Sequence, residues 1–170
     1  PRDRAAGRGL RGGGGVRGAG RAGGVPTMGT AAHAWTLLHD TEEDAFRAQL
    51  DSLGASTTLL VDTYDIADGV RRAVELGGPN LGGVRIDSGD LPLVAADVRD
   101  QLDALGNTRT TITVTSDLDE YAIAALAASP VDSYGVGTSL VTGSGYPTAG
   151  LVSKLVARQA DSGEWIRVAK

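Results

Sequence analysis

The chain has no cysteine, which excludes disulfides, thiolate metal sites and a cysteine nucleophile. Its only lysines are Lys154 and Lys170, so Schiff-base chemistry has almost nothing to work with. Aromatic residues make up 4% of the chain, and none falls among the first 24 positions. No apolar run approaches the ~20 residues that a membrane-spanning helix needs. The basic N-terminal stretch lacks the apolar centre of a secretory signal. These absences lead us to expect no membrane partner and a reducing, cytoplasmic setting.

What is present divides into two chemically different parts. The net charge of −5 over 170 residues hides an arm, residues 1–24, with six Arg against one Asp and ten Gly. The rest of the chain carries ten basic and twenty acidic side chains. The arm has no apolar face of helical or strand period, so nothing offsets the entropy of ordering it. It is expected to be disordered, or non-native sequence joined to a real domain near Val25. An arginine-glycine arm can also bind RNA, but this one lacks aromatic rings for base stacking, and the acidic body argues against a nucleic-acid partner.

From Val25 onward the texture is that of a folded protein. Val25–Thr30 reads as an extended entry, with Thr30 capping a helix that starts at Ala31 and turns Ala32, Trp35 and Leu38 inward. His33 falls in its first turn, where free N–H groups favour an anion. His39, beside Asp40, reads as a solvated helix end. Thr41-Glu42-Glu43-Asp44 forms a capping box with an acidic first turn, and Ala45, Phe46, Leu50 and Leu53 follow at helical spacing up to Gly54.

Four strand-plus-loop units come next. Thr58–Thr63 is an apolar strand, then Asp65 caps a helix to Leu76. Gly83–Ile86 is a strand, then Asp90 caps a helix from Leu91 to about Leu105. Thr111–Thr115 is a strand, then Asp117 caps a helix to about Ala128. Ser133–Val136 opens onto Gly137 and Thr138. Strands alternating with helices indicate an α/β fold with a parallel sheet and crossover helices. A complete eight-stranded barrel takes ~250 residues, so the expectation is a partial, irregular TIM-like (β/α) barrel over residues 25–150. Residues 151–170 then begin a β-like closing segment.

Each strand delivers polar groups at its carboxyl end, where ligands bind in such folds. They are Asp62 and Asp65; Arg85, Asp87 and Ser88; Ser116 and Asp117; Gly137 and Thr138. Asp62 and Asp87 are candidates for holding Mg²⁺ on a diphosphate. Arg85 suits a carboxylate or phosphate, which it can bind bidentately. Gly135-Val136-Gly137-Thr138 offers backbone N–H groups of the kind that cradle phosphate. Each aspartate alone can equally be a helix cap, and the weight lies in the joint pattern. Other phosphosugar-binding barrel enzymes remain an alternative, although aldolases and isomerases commonly need a lysine or glutamate at a strand end.

Five motifs in order resemble the signatures of the nicotinate phosphoribosyltransferase family: Gly29–Trp35, Leu60–Asp65, Gly83–Leu91, Ser116–Glu120 and Gly135–Thr138. The likeness is dense from Val25 to Val156. It implies a type II phosphoribosyltransferase that joins nicotinate to 5-phosphoribosyl-1-diphosphate, giving nicotinate mononucleotide and diphosphate in NAD salvage. ATP hydrolysis is coupled through a phosphohistidine, and the full-length enzyme acts as a homodimer. By this resemblance His33 matches the phosphorylated histidine. Thr30 and Arg85 match nicotinate contacts, and Gly137 and Thr138 match the phosphoribosyl phosphate site. Asp62 and Asp87 match acidic groups around the ribose-diphosphate and its Mg²⁺, and Ser88 joins them as a substrate-binding candidate. Ser153 stands where the family carries tyrosine, and nothing here corresponds to the family's N-terminal half, so the chain reads as a fragment expected to turn over weakly or not at all.

Overall fold

The computed structural model describes residues 30–143 and 145–170. The Gly/Arg-rich arm and the extended entry expected before Thr30 lie outside the described residues.

The elements run in the expected alternating order. A short helix α1 (His33–Leu37) precedes α2 (Glu42–Leu53), β1 (Thr58–Leu60) and α3 (Ile66–Gly77). Then follow β2 (Gly83–Ile86), α4 (Leu91–Ala104), β3 (Thr111–Val114), α5 (Glu120–Ala125), β4 (Ser133–Tyr134) and α6 (Thr138–Thr142). An antiparallel hairpin of β5 (Ala157–Gln159) and β6 (Trp165–Arg167) completes the described chain. Strands β1 to β4 form one sheet in sequential order, every pair parallel. No helix among the described residues is long and apolar enough to cross a membrane.

Register decides which face is which. Leu59, Val84 and Ile112 lie side by side across β1, β2 and β3, and all three are fully buried in the main apolar cluster. Val70 and Ala73 of α3 and Val98 and Leu102 of α4 complete that cluster from the helical layer. The alternate row is Leu60, Arg85, Thr113 and Ser133, because successive strand residues point to opposite faces. The sheet is therefore apolar toward its helices and largely polar on the other side.

Local chemistry explains most of the boundaries. Thr41, Asp65 and Asp90 cap α2, α3 and α4 by accepting from the backbone N–H groups of Asp44, Asp68 and Leu93. Gly54 and Gly78 end α2 and α3 with positive φ.

Several expectations fail for identifiable reasons. Helix α1 starts two residues later than expected, with Ala32 rather than Thr30 at its N-cap and no side-chain cap bond. Its inward residues are Thr36 and Leu37, whereas Leu38 is exposed. At five residues it is too short to provide the anion-binding terminus read into it. Asp119, not Asp117, caps α5, because Ser116 and Asp117 adopt left-handed conformations, φ 103° and 49°, and lengthen the turn after β3. In α2, Leu53 is exposed, while Glu42 and Gln49 are buried. Glu42 pairs with Arg72 at 2.8 Å and Gln49 donates to Thr58 O and Thr57 Oγ1. His39 is half-buried rather than solvated, its ring tilted against that of Trp35 with centroids 4.6 Å apart. The β-like segment expected from Leu151 begins only at Ala157.

The packing of α3 on β1 has a sharp test. A Cβ on Gly69 would sit 2.3 Å from Val61 O. Helix propensity favours Gly69→Ala by about 1 kcal/mol, but overpacking against the buried backbone just beyond β1 costs about 1–3 kcal/mol. Urea unfolding should show Gly69→Ala less stable than the wild type. A more stable variant would mean that α3 is free to move off the sheet.

Candidate functional site

The polar groups gather where β1, β2 and β3 run out. Asp62 lies two residues beyond β1, and its side chain is completely buried. Its Oδ2 accepts from the backbone N–H of Asp87 at 2.9 Å and from Ser88 Oγ at 2.5 Å. These bonds pin the end of β2 to the end of β1 and aim Asp87 toward α1. Asp62 Oδ1 is buried, 3.9 Å from His33 Nε2, and has no hydrogen-bond partner among the described residues. Asp87 accepts from Thr115 Oγ1 at the end of β3. Its other oxygen lies 3.3 Å from His33 Nε2.

Arg85 sits in the polar row of β2 with its side chain 14% exposed. It donates to Ala31 O at 3.0 Å, which holds the segment before His33 over the strand ends. It also donates to Thr115 Oγ1 at 3.3 Å and lies 3.8 Å from Asp87 Oδ1. Its Nε is buried and has no hydrogen-bond partner among the described residues. Burial lowers the Arg85 pKa against the opposing pull of Asp87 and Asp62. Burial would raise the Asp87 carboxyl, but the nearby His33 ring, the hydrogen bond from Thr115 and the Arg85 charge outweigh it. The Asp87 pKa falls to about 2.

His33, Asp62, Arg85, Asp87 and Ser88 therefore form one cluster, although they come from three separate segments. Thr30 makes no side-chain hydrogen bond to that cluster among the described residues. Gly137 and Thr138 are also apart from it. Gly137 is the N-cap of α6, and Thr138 lines a neighbouring cleft of about 380 Å³ with Asp117, Asp119, Ser139 and Tyr146. The two regions meet through β3, since Thr115 belongs to the cluster and Asp117 to the cleft. A Cβ on Gly137 would meet nothing within 4 Å, so the backbone there is open to a ligand.

Three participants escaped the sequence reading. Thr63 lies 3.1 Å from His33 Nδ1, and Thr115 bridges Arg85 and Asp87. Both stand at strand ends and carried the same positional signal as their neighbours. Lys170 Nζ lies 2.7 Å from His33 Nε2 and 3.8 Å from Asp62 Oδ2, across 137 positions of sequence. Its only signal was the scarcity of lysine.

This geometry suits an anionic ligand with a carboxylate or phosphate near Arg85. The chain is 60% identical over 141 residues to the nicotinate phosphoribosyltransferase pncB1 of Mycobacterium tuberculosis, an alignment covering 78% of this chain and 32% of that protein. The chain is homologous to the nicotinate phosphoribosyltransferases. It is also 38% identical over 145 residues to the nicotinate phosphoribosyltransferase of Bacillus subtilis, covering 81% of this chain and 29% of that one. The chain thus spans about a third of the length of these curated relatives. The crystal structure of the nicotinate phosphoribosyltransferase from Porphyromonas gingivalis shares the fold, with a TM-score of 0.72 at 21% identity over 86% of this chain and 42% of that one. No family model matches the chain.

The depressed Asp87 pKa sets a pH signature for the cluster. A carboxyl whose folded pKa lies below its unfolded value contributes stability above the unfolded pKa. That contribution is lost as pH falls through the folded pKa. Asp87→Asn should therefore be less stable than wild type at neutral pH, and the gap should close between about pH 4 and pH 2. Urea midpoints measured across that range test it; a gap independent of pH would show that Asp87 is not held ionised by its neighbours.

Proposed function

We propose that the full-length protein transfers a phosphoribosyl group from 5-phosphoribosyl-1-diphosphate to nicotinate, releasing diphosphate, and that the strand-end cluster is part of its active site. One observation carries this reading above all. In a chain homologous to nicotinate phosphoribosyltransferases, a shielded arginine, its Nε unpartnered among the described residues, stands beside two carboxylates and a histidine.

Arg85 is the group for the nicotinate carboxylate, since a guanidinium fork matches a planar carboxylate. Thr30 is a second contact for the pyridine ring. Gly137 and Thr138 would take the 5-phosphate in the adjoining cleft, where open backbone can approach an anion. Asp62, Asp87 and Ser88 would surround the ribose and its diphosphate. Loss of diphosphate leaves positive charge on the sugar, and fixed carboxylates nearby stabilise it.

Mg²⁺ fits this arrangement. The buried, unpartnered Asp62 Oδ1 and the ionised Asp87 can contribute two oxygens. Among the described residues no group of three or more metal-binding side chains forms, so water and the substrate's own phosphates would complete the shell. The ion would neutralise charge on the departing diphosphate.

His33 is the proposed site of ATP-dependent phosphorylation. The sequential parallel order of β1 to β4 supports one arc of a (β/α) barrel, with 25–150 as its catalytic portion and 151–170 as the start of a β-rich closing segment. A homodimer is the expected assembly.

Steady-state assays of nicotinate mononucleotide formation by the full-length protein test the assignments separately. Arg85→Lys, which keeps the charge but loses the fork, should raise the KM for nicotinate about tenfold or more. His33→Ala should abolish stimulation by ATP. Wild-type KM in the first variant and undiminished ATP stimulation in the second would remove those residues from their roles.

A further inference from the structure

His33 Nε2 has two groups within hydrogen-bond distance that make opposite demands on it, with Asp62 Oδ1 further off at 3.9 Å. The Lys170 ammonium, 2.7 Å away, can only donate, so this contact requires a lone pair on Nε2. The Asp87 carboxylate, 3.3 Å away, can only accept and requires a proton there. One neutral imidazole nitrogen cannot satisfy both.

The surroundings of the other ring nitrogen resolve the conflict. Nδ1 lies 3.1 Å from Thr63 Oγ1, and Thr63 donates in turn to Thr36 Oγ1 at 3.3 Å. A hydroxyl has one proton, and this one is committed to Thr36. Thr63 therefore accepts from His33, and Nδ1 carries the proton. The shorter contact at Nε2 and the hydroxyl chain at Nδ1 select the same tautomer.

Lys170 reaches this position on the β5–β6 hairpin. Arg158 of β5, with its side chain 13% exposed, pairs with Asp40 beyond α1. Val168 N bonds Val156 O at 3.1 Å, extending the hairpin pairing to within two residues of Lys170. Asp62 Oδ2, 3.8 Å away and buried, supplies the ammonium's counter-charge.

We propose that Lys170 is a positioning residue for His33: delivered by the hairpin, it overrides Asp87 and holds the imidazole with its lone pair on Nε2, facing the carboxylates. Without it, Asp87 claims a proton on Nε2 and the lone pair turns to the threonines, away from the strand-end cluster. The functional consequence rests on the reading of His33 as the phosphorylated residue; the tautomer itself does not.

Two measurements keep those claims apart. In the 170-residue chain, two-bond ¹H–¹⁵N imidazole spectra are recorded at a pH where the ring is neutral, with His33 distinguished from His39 by His39→Gln. Wild type and Lys170→Arg, which keeps a donor-only cation, should show the Nδ1–H form, and Lys170→Met should move the majority to Nε2–H. An unchanged tautomer in Lys170→Met, with the backbone spectrum still dispersed, overturns the proposal. In the full-length protein, phosphate uptake from ATP should fall at least tenfold in Lys170→Met and recover in Lys170→Arg. Wild-type uptake in Lys170→Met would also overturn it. Uptake on some residue other than His33 would instead defeat the phosphohistidine reading and leave the tautomer result standing.

Discussion

Asp62 is a carboxylate with none of its side chain exposed, in a position where isolation from water is costly unless its oxygens are satisfied. The fold satisfies Oδ2 with the Asp87 amide and the Ser88 hydroxyl, both from the loop that leaves β2. That loop therefore cannot turn elsewhere, and its turn sets the direction of the Asp87 side chain. Through Asp87 the constraint spreads to Thr115, just beyond β3, and to His33 on α1. A single buried charge thus ties three segments into one cluster.

Sheet register supplies the second half of the arrangement. Because Val84 and Ile86 face the helices, Arg85 must face the other way, into the row with Leu60 and Thr113. The same alternation that builds the apolar core exports a guanidinium to the opposite face, near the carboxyl ends of the strands. Its bond to Ala31 O then anchors the segment that presents His33. Core packing and site construction are two faces of one strand pattern, which is how parallel α/β sheets position ligand groups at their strand ends.

Features set by neighbours in sequence were readable in advance. The bounds of β2 match the expectation at both ends, and Thr41, Asp65 and Asp90 cap the helices they precede, since capping needs only the next three residues. Asp62, Arg85 and Asp87 stood out because they end strands. What depended on contacts far along the chain was hidden. Glu42 reads only as one acid of an acidic first turn, yet Arg72, thirty residues away, lets it be buried, where burial raises its pKa against that partner. Asp117 has a cap's sequence context, but the left-handed turn at Ser116 moves the cap to Asp119. Lys170 enters the cluster only because the hairpin folds back onto α1, an event with no local signature.

The Asp62 carboxylate organises the cluster, and Asp62→Asn tests that most directly, since it keeps the shape and removes the charge. The turnover number for nicotinate mononucleotide formation by the full-length variant should fall about 100-fold or more, as expected when a fixed charge near a developing cation is lost, while thermal unfolding remains cooperative. A folded Asp62→Asn variant with the wild-type turnover number would contradict the account.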